Sequence, residues 1–236
     1  MHAFEKTSLW VNSFKNPQFA SERKASQFLK QRLLDVRERA ANLVSLIRAD
    51  LPDFTVHDIS HLDALWETGS LIAGKKYSLN PAEAFVFGCA VLLHDAAMSL
   101  AAYPNGISEV KQTPEWQDAI TGHLQAQRID ASTTTADVPP EIAKAALTDA
   151  LRTLHAKQAA RLPLIKWPAK DGSSEYLIQD SDLRQYYGDI IGKIAESHWW
   201  SPEELRSRLP RRINAGPSVP SEWHFDPLKI GFIREV

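Results

Sequence analysis

Hydrophobic positions recur with helical period along most of this chain. From Ser21 to Ala49, Phe28, Leu29, Leu33, Val36, Ala40, Leu43, Val44 and Ile47 line one face, and the opposite face is rich in Lys, Arg and Glu. That pattern predicts a long amphipathic helix, stopped by Pro52. The segment Leu9 to Phe19 carries Trp10, Phe14 and Phe19 but is interrupted by Asn16-Pro17, which predicts a short helix or arm packed on the body. Another helix is expected from about Val56 to Ile72, with Thr55 as its cap, Asp58 at its third position and a turn at Gly74-Lys75-Lys76 after it.

Ala84 to Leu93 is almost wholly apolar. Ahead of it Asn80 can cap, Pro81 occupies the first helical position and Glu83 lies three residues after the cap, so a helix starts here with favourable local chemistry. A helix apolar on all sides belongs at the centre of a core. Further on, Tyr103-Pro104-Asn105-Gly106 signals a turn. Thr113 with Pro114 starts a helix through about Arg128, and Pro139-Pro140 opens one that runs to Leu162. Asp180 or Ser181 caps a helix ending in His198-Trp199-Trp200, and Ser201-Pro202-Glu203-Glu204 reads as a capping box. Ser132 to Thr135 is expected to be a polar loop tending to disorder, Pro163 to Ser174 an exposed loop and Arg208 to Pro220 a linker-like one. Strand-like alternation is confined to a short piece around Tyr176 to Ile178, so the expected fold is all-α.

Length and composition narrow the picture. A chain of 236 residues can bury a substantial core in one domain or one domain with an appendage. Lys and Arg total 27 against 29 Asp and Glu, so no basic field argues for nucleic acid or an anionic membrane. Cys89 is the only cysteine, which excludes an internal disulfide and suits a reducing compartment. Met1 to Phe14 lacks the layout of a secretion signal, and no apolar run is read as long enough to span a bilayer. A cytoplasmic protein is the expectation.

The chemistry concentrates between Thr55 and Met98. His57 and His61 stand four apart, on one helical face with Leu65. His94 and Asp95 end the apolar helix within Leu92-Leu-His-Asp-Ala-Ala-Met98, where burial costs several kcal/mol (~2–7) unless the groups are paired, hydrogen-bonded or metal-bound. A His bonded to a backbone carbonyl beside a capped Asp would explain such a doublet taken alone; the imidazoles on the preceding helix favour a shared site.

The H-x-x-x-H pattern followed by L-L-H-D-A-A-M resembles the HD superfamily of metal-dependent phosphohydrolases. It comes closest to a subgroup with a T-x-H-x-x-x-H opening, found as N-terminal domains of larger proteins that include GHKL-type ATPases. Two further elements of that subgroup recur here: Leu151-Arg-Thr-Leu-His-Ala156 is similar to its L-R-x-x-H-A element, and Ile191-Gly-Lys-Ile-Ala-Glu-Ser-His198 to its I-x-x-I-A-x-S-H element. The resemblance implies an HD-type helical bundle over residues 21–236 with an N-terminal arm over 1–20. It implies metal ligation by His61, His94 and Asp95, with His57 as a ligand, a partner of a ligand or a substrate contact. It also implies catalytic roles at the cleft for His155, His198 and Arg152, through leaving-group protonation or phosphate binding. Trp223 to Val236 resembles the start of the helix carrying the family's last ligand, an Asp, and the chain is expected to stop short of it; Asp58 and Asp226 are the nearest substitutes. Ile230, Phe232 and Ile233 are expected to dock that helix on the core.

A divalent ion is the implied cofactor, with Mn, Fe, Zn, Ni and Mg all compatible with mixed His and Asp ligands. It would lower the pKa of a bound water and polarise a phosphoryl group. Two functions remain in view. One is hydrolysis of a phosphomonoester or phosphodiester, with nucleotides among the candidates. The other is a catalytically weak, nucleotide-sensing or regulatory module for a fused or partner ATPase, since no Gly-rich phosphate loop lies in these residues. The expected partner is thus a phosphorylated small molecule or nucleotide, with no nucleic acid and no membrane. His2, His123 and His224 read as surface residues, Arg184 as a phosphate clamp or part of a solvated face, and Trp199, Trp200 and Trp223 as packing rather than a stacking platform.

Overall fold

A computed structural model describes residues 2–15, 20–52, 58–74, 77–129, 138–168, 171–216 and 219–234. Thr55, His57 and the expected loop at Ser132 to Thr135 lie outside these. The fold is all-α, built around α5 (Pro81–Leu93), of which every residue is buried. Its start is the box read from the sequence: Asn80 Oδ1 accepts the Glu83 amide at 3.0 Å, and Glu83 accepts the Asn80 amide at 3.0 Å. By length and apolarity Pro81–Met98 would span a bilayer, contrary to expectation, yet all of it is buried inside the fold. Burial also pushes the Cys89 thiol, within α5, well above its ordinary pKa.

α1 (Ser8–Phe14), α2 (Ala20–Val44) and α4 (Ile59–Ala73) pack on one side of α5. The apolar stripe on α2 reads through Ile47, but the helix breaks at Ser45-Leu46 before the single turn of α3 (Ile47–Asp50). Gly88 permits the close approach here, because a Cβ would stand 2.7 Å from Leu33 and 2.8 Å from Trp66. Trp10 is fully buried and meets Phe14 and Trp66 edge-on, with centroids 4.7 and 5.5 Å apart. The residues from Ser8 to Phe14 therefore contribute to the same core as α5.

After α5 come α6 (Ile107–Val110), α7 (Pro114–Ala126) and α8 (Pro140–Arg161), then α9 (Ser181–Glu196), α10 (Pro202–Arg208) and α11 (Pro227–Arg234). Their starts follow the local signals, with Thr113, Asp180 and Ser201 as side-chain caps. α9 lies between α5 and α8, and α11 packs across α4, α5 and α9. Glu83 ties α11 down: it pairs with Lys229 at 2.8 Å and accepts the Asp226 amide at 3.2 Å. Ile230 is fully buried beneath.

Two expected loops each supply the first strand of a short antiparallel hairpin, and the second strand of the first reaches Tyr176, at the strand-like piece expected there. β1 (Lys166–Pro168) pairs with β2 (Ser174–Tyr176), and β3 (Ile213–Asn214) with β4 (His224–Phe225). Trp167, in the segment read as exposed, is 1% exposed, and Ala215, in the segment read as a linker, is also 1% exposed. Pairing with a distant strand and an apolar contact overrode the local polarity at both places.

Candidate metal centre

α4 begins at Ile59 rather than near Val56. Asp58 is the cap itself, its carboxylate accepting the Ser60 and His61 amides, and the bond from the Ser60 hydroxyl holds its pKa below the ordinary value. Asp58 is thereby engaged at the helix start. Asp226 likewise caps α11, accepting the Lys229 amide at 3.0 Å.

From this start His61 faces the end of α5. His94 caps that end, and Asp95 follows in helical conformation, leading into a 3-10 turn at Ala96–Met98. The turn is pinned from α3: one carboxylate oxygen of Asp50 accepts the Ser99 hydroxyl and the Leu100 amide, both at 2.8 Å. The His61 and His94 ring centroids lie 6.3 Å apart. Asp95 Oδ2 is 2.7 Å from His94 Nε2 and 3.7 Å from His61 Nε2.

α8 and α9 bring two more imidazoles to the same carboxylate. His155 Nε2 lies 3.6 Å from Asp95 Oδ1 and 2.9 Å from His198 Nε2, and the His94 and His198 centroids are 5.4 Å apart. Ligand atoms of His61, His94 and Asp95 all fall within 4.8 Å of one another, as do those of Asp95, His155 and His198. Asp95 is common to both groups. It is 9% exposed, His94 5% and His155 6%, and His61 and His198 complete the cluster toward solvent.

The backbone assigns the tautomers. The Nδ1 atoms of His94, His155 and His198 sit 2.8, 2.6 and 2.6 Å from the carbonyls of Val91, Arg152 and Ala195. A carbonyl only accepts, so each Nδ1 carries a proton, and each ring turns its Nε2 inward, as a lone pair when the ring is neutral and as a donor when it is protonated. Two Nε2 atoms 2.9 Å apart, beside a carboxylate, call for a cation between them, a proton or a metal ion. Burial is the largest influence on Asp95 and favours its neutral form, but the imidazoles of His61, His94 and His155, when protonated, outweigh it, holding the carboxyl far below the usual range. An anion with converging imidazoles, once their Nε2 atoms give up any proton, is the donor set that a divalent ion requires.

The remaining residues fall at varied distances from this centre. Arg152 is exposed on α8, and its backbone carbonyl orients His155. Arg184 is partly buried: its guanidinium lies 3.8 Å from the Tyr176 ring centroid and donates to the Ile178 and Gln179 carbonyls. His123 pairs with Asp149 at 2.8 Å, and His224 is half-buried. Trp223 is buried, but Trp199 is 55% exposed and stands beside His155, so it departs from the packing role expected of it. Its position directly after His198 is the signal that could have placed it at the site.

Arg37 was not singled out by the sequence, yet it clasps Asp63 through Nε at 2.8 Å and Nη2 at 2.6 Å, fixing α4 two residues beyond His61. Arg37→Met is expected to lower stability by about 1.5–3 kcal/mol, the range for hydrogen bonds to charged groups. It should also weaken divalent-metal binding as His61 loosens. Urea unfolding and a metal titration of the variant check both effects.

Residues 51–233 match the HD-CE family. No curated protein and no solved structure matches the chain.

Proposed function

This chain belongs to the HD-CE family, and from that premise we propose that it is a metal-dependent phosphohydrolase acting on a phosphomonoester or phosphodiester, with nucleotides among its candidate substrates. The observation that carries this reading is the shared carboxylate. Asp95 offers Oδ2 to His61 and His94 and Oδ1 to His155, so one anion serves two clusters of ligand atoms. One divalent ion would be held by His61, His94 and Asp95, and a second by Asp95, His155 and His198. Such ions lower the pKa of a bound water and polarise a phosphoryl oxygen.

The chain's own residues do the remaining work. The Val91, Arg152 and Ala195 carbonyls hold three imidazoles as fixed tautomers with their lone pairs aimed inward, an outer-shell arrangement that raises ligand basicity. His155 and His198 serve in this reading as ligands rather than as leaving-group acids, because their Nε2 atoms face each other and Asp95. Arg152, exposed one helical turn before His155, is assigned to the phosphate oxygens. The buried end of α5 keeps water from the inner side of the centre.

Elemental analysis and a panel of phosphomonoesters and phosphodiesters test the proposal. The expected result is stoichiometric or greater divalent metal, with hydrolysis that a chelator abolishes and added metal restores. Occupancy should fall as the solution is acidified, because protons compete for the same Nε2 lone pairs. Failure to take up metal on reconstitution, or hydrolysis insensitive to chelator, would defeat the reading. Metal uptake with no turnover of any ester would favour a regulatory, nucleotide-sensing module instead.

A further inference from the structure

Trp199 is the one exposed large hydrophobic side chain, among the described residues, that stands against the histidine cluster; the others are Leu71, Ile72, Ile107, Leu164 and Tyr186. Its ring centroid lies 5.4 Å from that of His155 and 6.4 Å from that of His198, and its plane is turned 85° and 78° from theirs. The indole therefore rises as a wall beside the imidazoles and remains open to solvent over 55% of its surface.

The turn that carries Trp199 is bonded on both sides of it. Ser197, His198 and Trp199 form a single 3-10 turn at the end of α9. The Ser197 hydroxyl donates to the Ile194 carbonyl at 2.8 Å, His198 Nδ1 to the Ala195 carbonyl at 2.6 Å, and the Trp200 amide to the Ser197 carbonyl at 2.8 Å. Trp200, by contrast, is partly covered, with the Arg208 guanidinium 4.7 Å from its ring centroid. Placing a tryptophan beside a polar centre while leaving more than half of it wet gives up burial that folding would otherwise use. A ligand with a flat face would recover it.

We propose that Trp199 is a specificity-determining residue: its indole face stacks on the ring of the substrate and selects phosphate esters that carry a flat aromatic group, such as a nucleobase, over aliphatic ones. This rests on the phosphohydrolase reading above and adds to it the half of the substrate that does not react. An indole supplies a π-face and no charge, so it contributes little to a phosphate or a sugar alone. A base of any sequence offers the complementary face. The phosphate end would meet the metal-binding cluster and the ring end the wall beside it.

The test compares adenosine monophosphate with glycerol phosphate in manganese-containing buffer, for the parent chain and for Trp199→Ala and Trp199→Phe. The parent should prefer the adenosine ester in kcat/KM. Trp199→Ala should cut that preference about tenfold, within the range for losing one base–aromatic stack, mainly through KM, and Trp199→Phe should keep most of it. A preference absent from the parent, or undiminished in Trp199→Ala, would overturn the proposal. So would an equal loss on both esters, which marks a structural role. If neither ester is turned over, the phosphohydrolase reading is what fails. Titration calorimetry of the same two compounds then reads the affinity ratio directly. The same collapse in Trp199→Ala is expected, while an unchanged ratio, or no binding of either compound, would defeat the stacking proposal itself.

Discussion

Asp95→Asn is expected to abolish divalent-metal retention, and with it hydrolysis, while leaving the chain folded. The substitution is nearly isosteric and removes one anion from both groups of ligands at once, since the Asp95 oxygens face His61 and His94 on one side and His155 on the other. Loss of an outer partner of a metal ligand costs about 10–100-fold in affinity; removal of a carboxylate common to two clusters should exceed that. The fold should tolerate it because the new amide can donate a hydrogen to the His94 Nε2 lone pair, 2.7 Å away in the parent. The variant would thus satisfy without a cation what the parent satisfies with one. A thermal melt separates the two chains. With metal at about a hundredfold over its Kd, binding adds about 2.7 kcal/mol to the parent, or about 5–10 °C in Tm for a chain of this size. A chelator should remove that increment from the parent and leave Asp95→Asn unmoved. Equal metal-dependent shifts in both chains would mean that Asp95 does not join the two clusters.

Much of this architecture was legible because helix starts are written in adjacent residues. Asn80-Pro81 with Glu83, Thr113-Pro114, Asp180 and Ser201-Pro202 with Glu204 each supply their own capping bonds, so tertiary context had little to override. α4 starts later than its sequence suggests for a related reason. Thr55 and Asp58 are both cap residues three apart, local chemistry allows either, and Asp58 caps the helix. The break at Ser45-Leu46 is hidden because apolar periodicity continues to Ile47 across it. The hairpins at Lys166–Pro168 and Ile213–Asn214 depend on partners about ten residues away, and nothing in their own composition announces them. At the site, His61, His94 and Asp95 stand out as polar groups on surfaces built for burial. The approach of His155 and His198 to them is visible only through the resemblance of their motifs, because helical period does not say which helices meet. The second use of Asp95 and the Arg37 clasp are three-dimensional facts with no sequence counterpart, and the exposure of Trp199 is one that its place after His198 only hints at.

The meeting of α8 and α9 depends on Gly192. A Cβ there would lie 2.1 Å from the Ala160 carbonyl oxygen and 2.9 Å from its carbon, both of them backbone atoms in the last turn of α8, which no side-chain rotamer change can move aside. Gly188, one turn earlier, would meet a Leu164 side-chain carbon at 2.5 Å, a contact that a rotamer change can relieve. Gly192→Ala is therefore expected to force the two helices apart and to destabilise the chain by about 3 kcal/mol, at the upper end for overpacked sites. This would occur although alanine is the better helix former by about 1 kcal/mol. Gly122→Ala provides the matched comparison: it sits within α7, where an added Cβ would meet nothing within 4 Å, so propensity alone should act and stability should rise by about 1 kcal/mol. The consequence reaches the metal centre because His155 lies five residues before Ala160 and His198 six after Gly192. Their 2.9 Å approach should widen in Gly192→Ala, weakening the ligand set of Asp95, His155 and His198 more than that of His61, His94 and Asp95. Urea unfolding of the two glycine variants, followed by metal titration of Gly192→Ala, reads both effects. A Gly192→Ala chain as stable as Gly122→Ala, or with undiminished metal binding, would show that α8 and α9 have room to spare at this crossing.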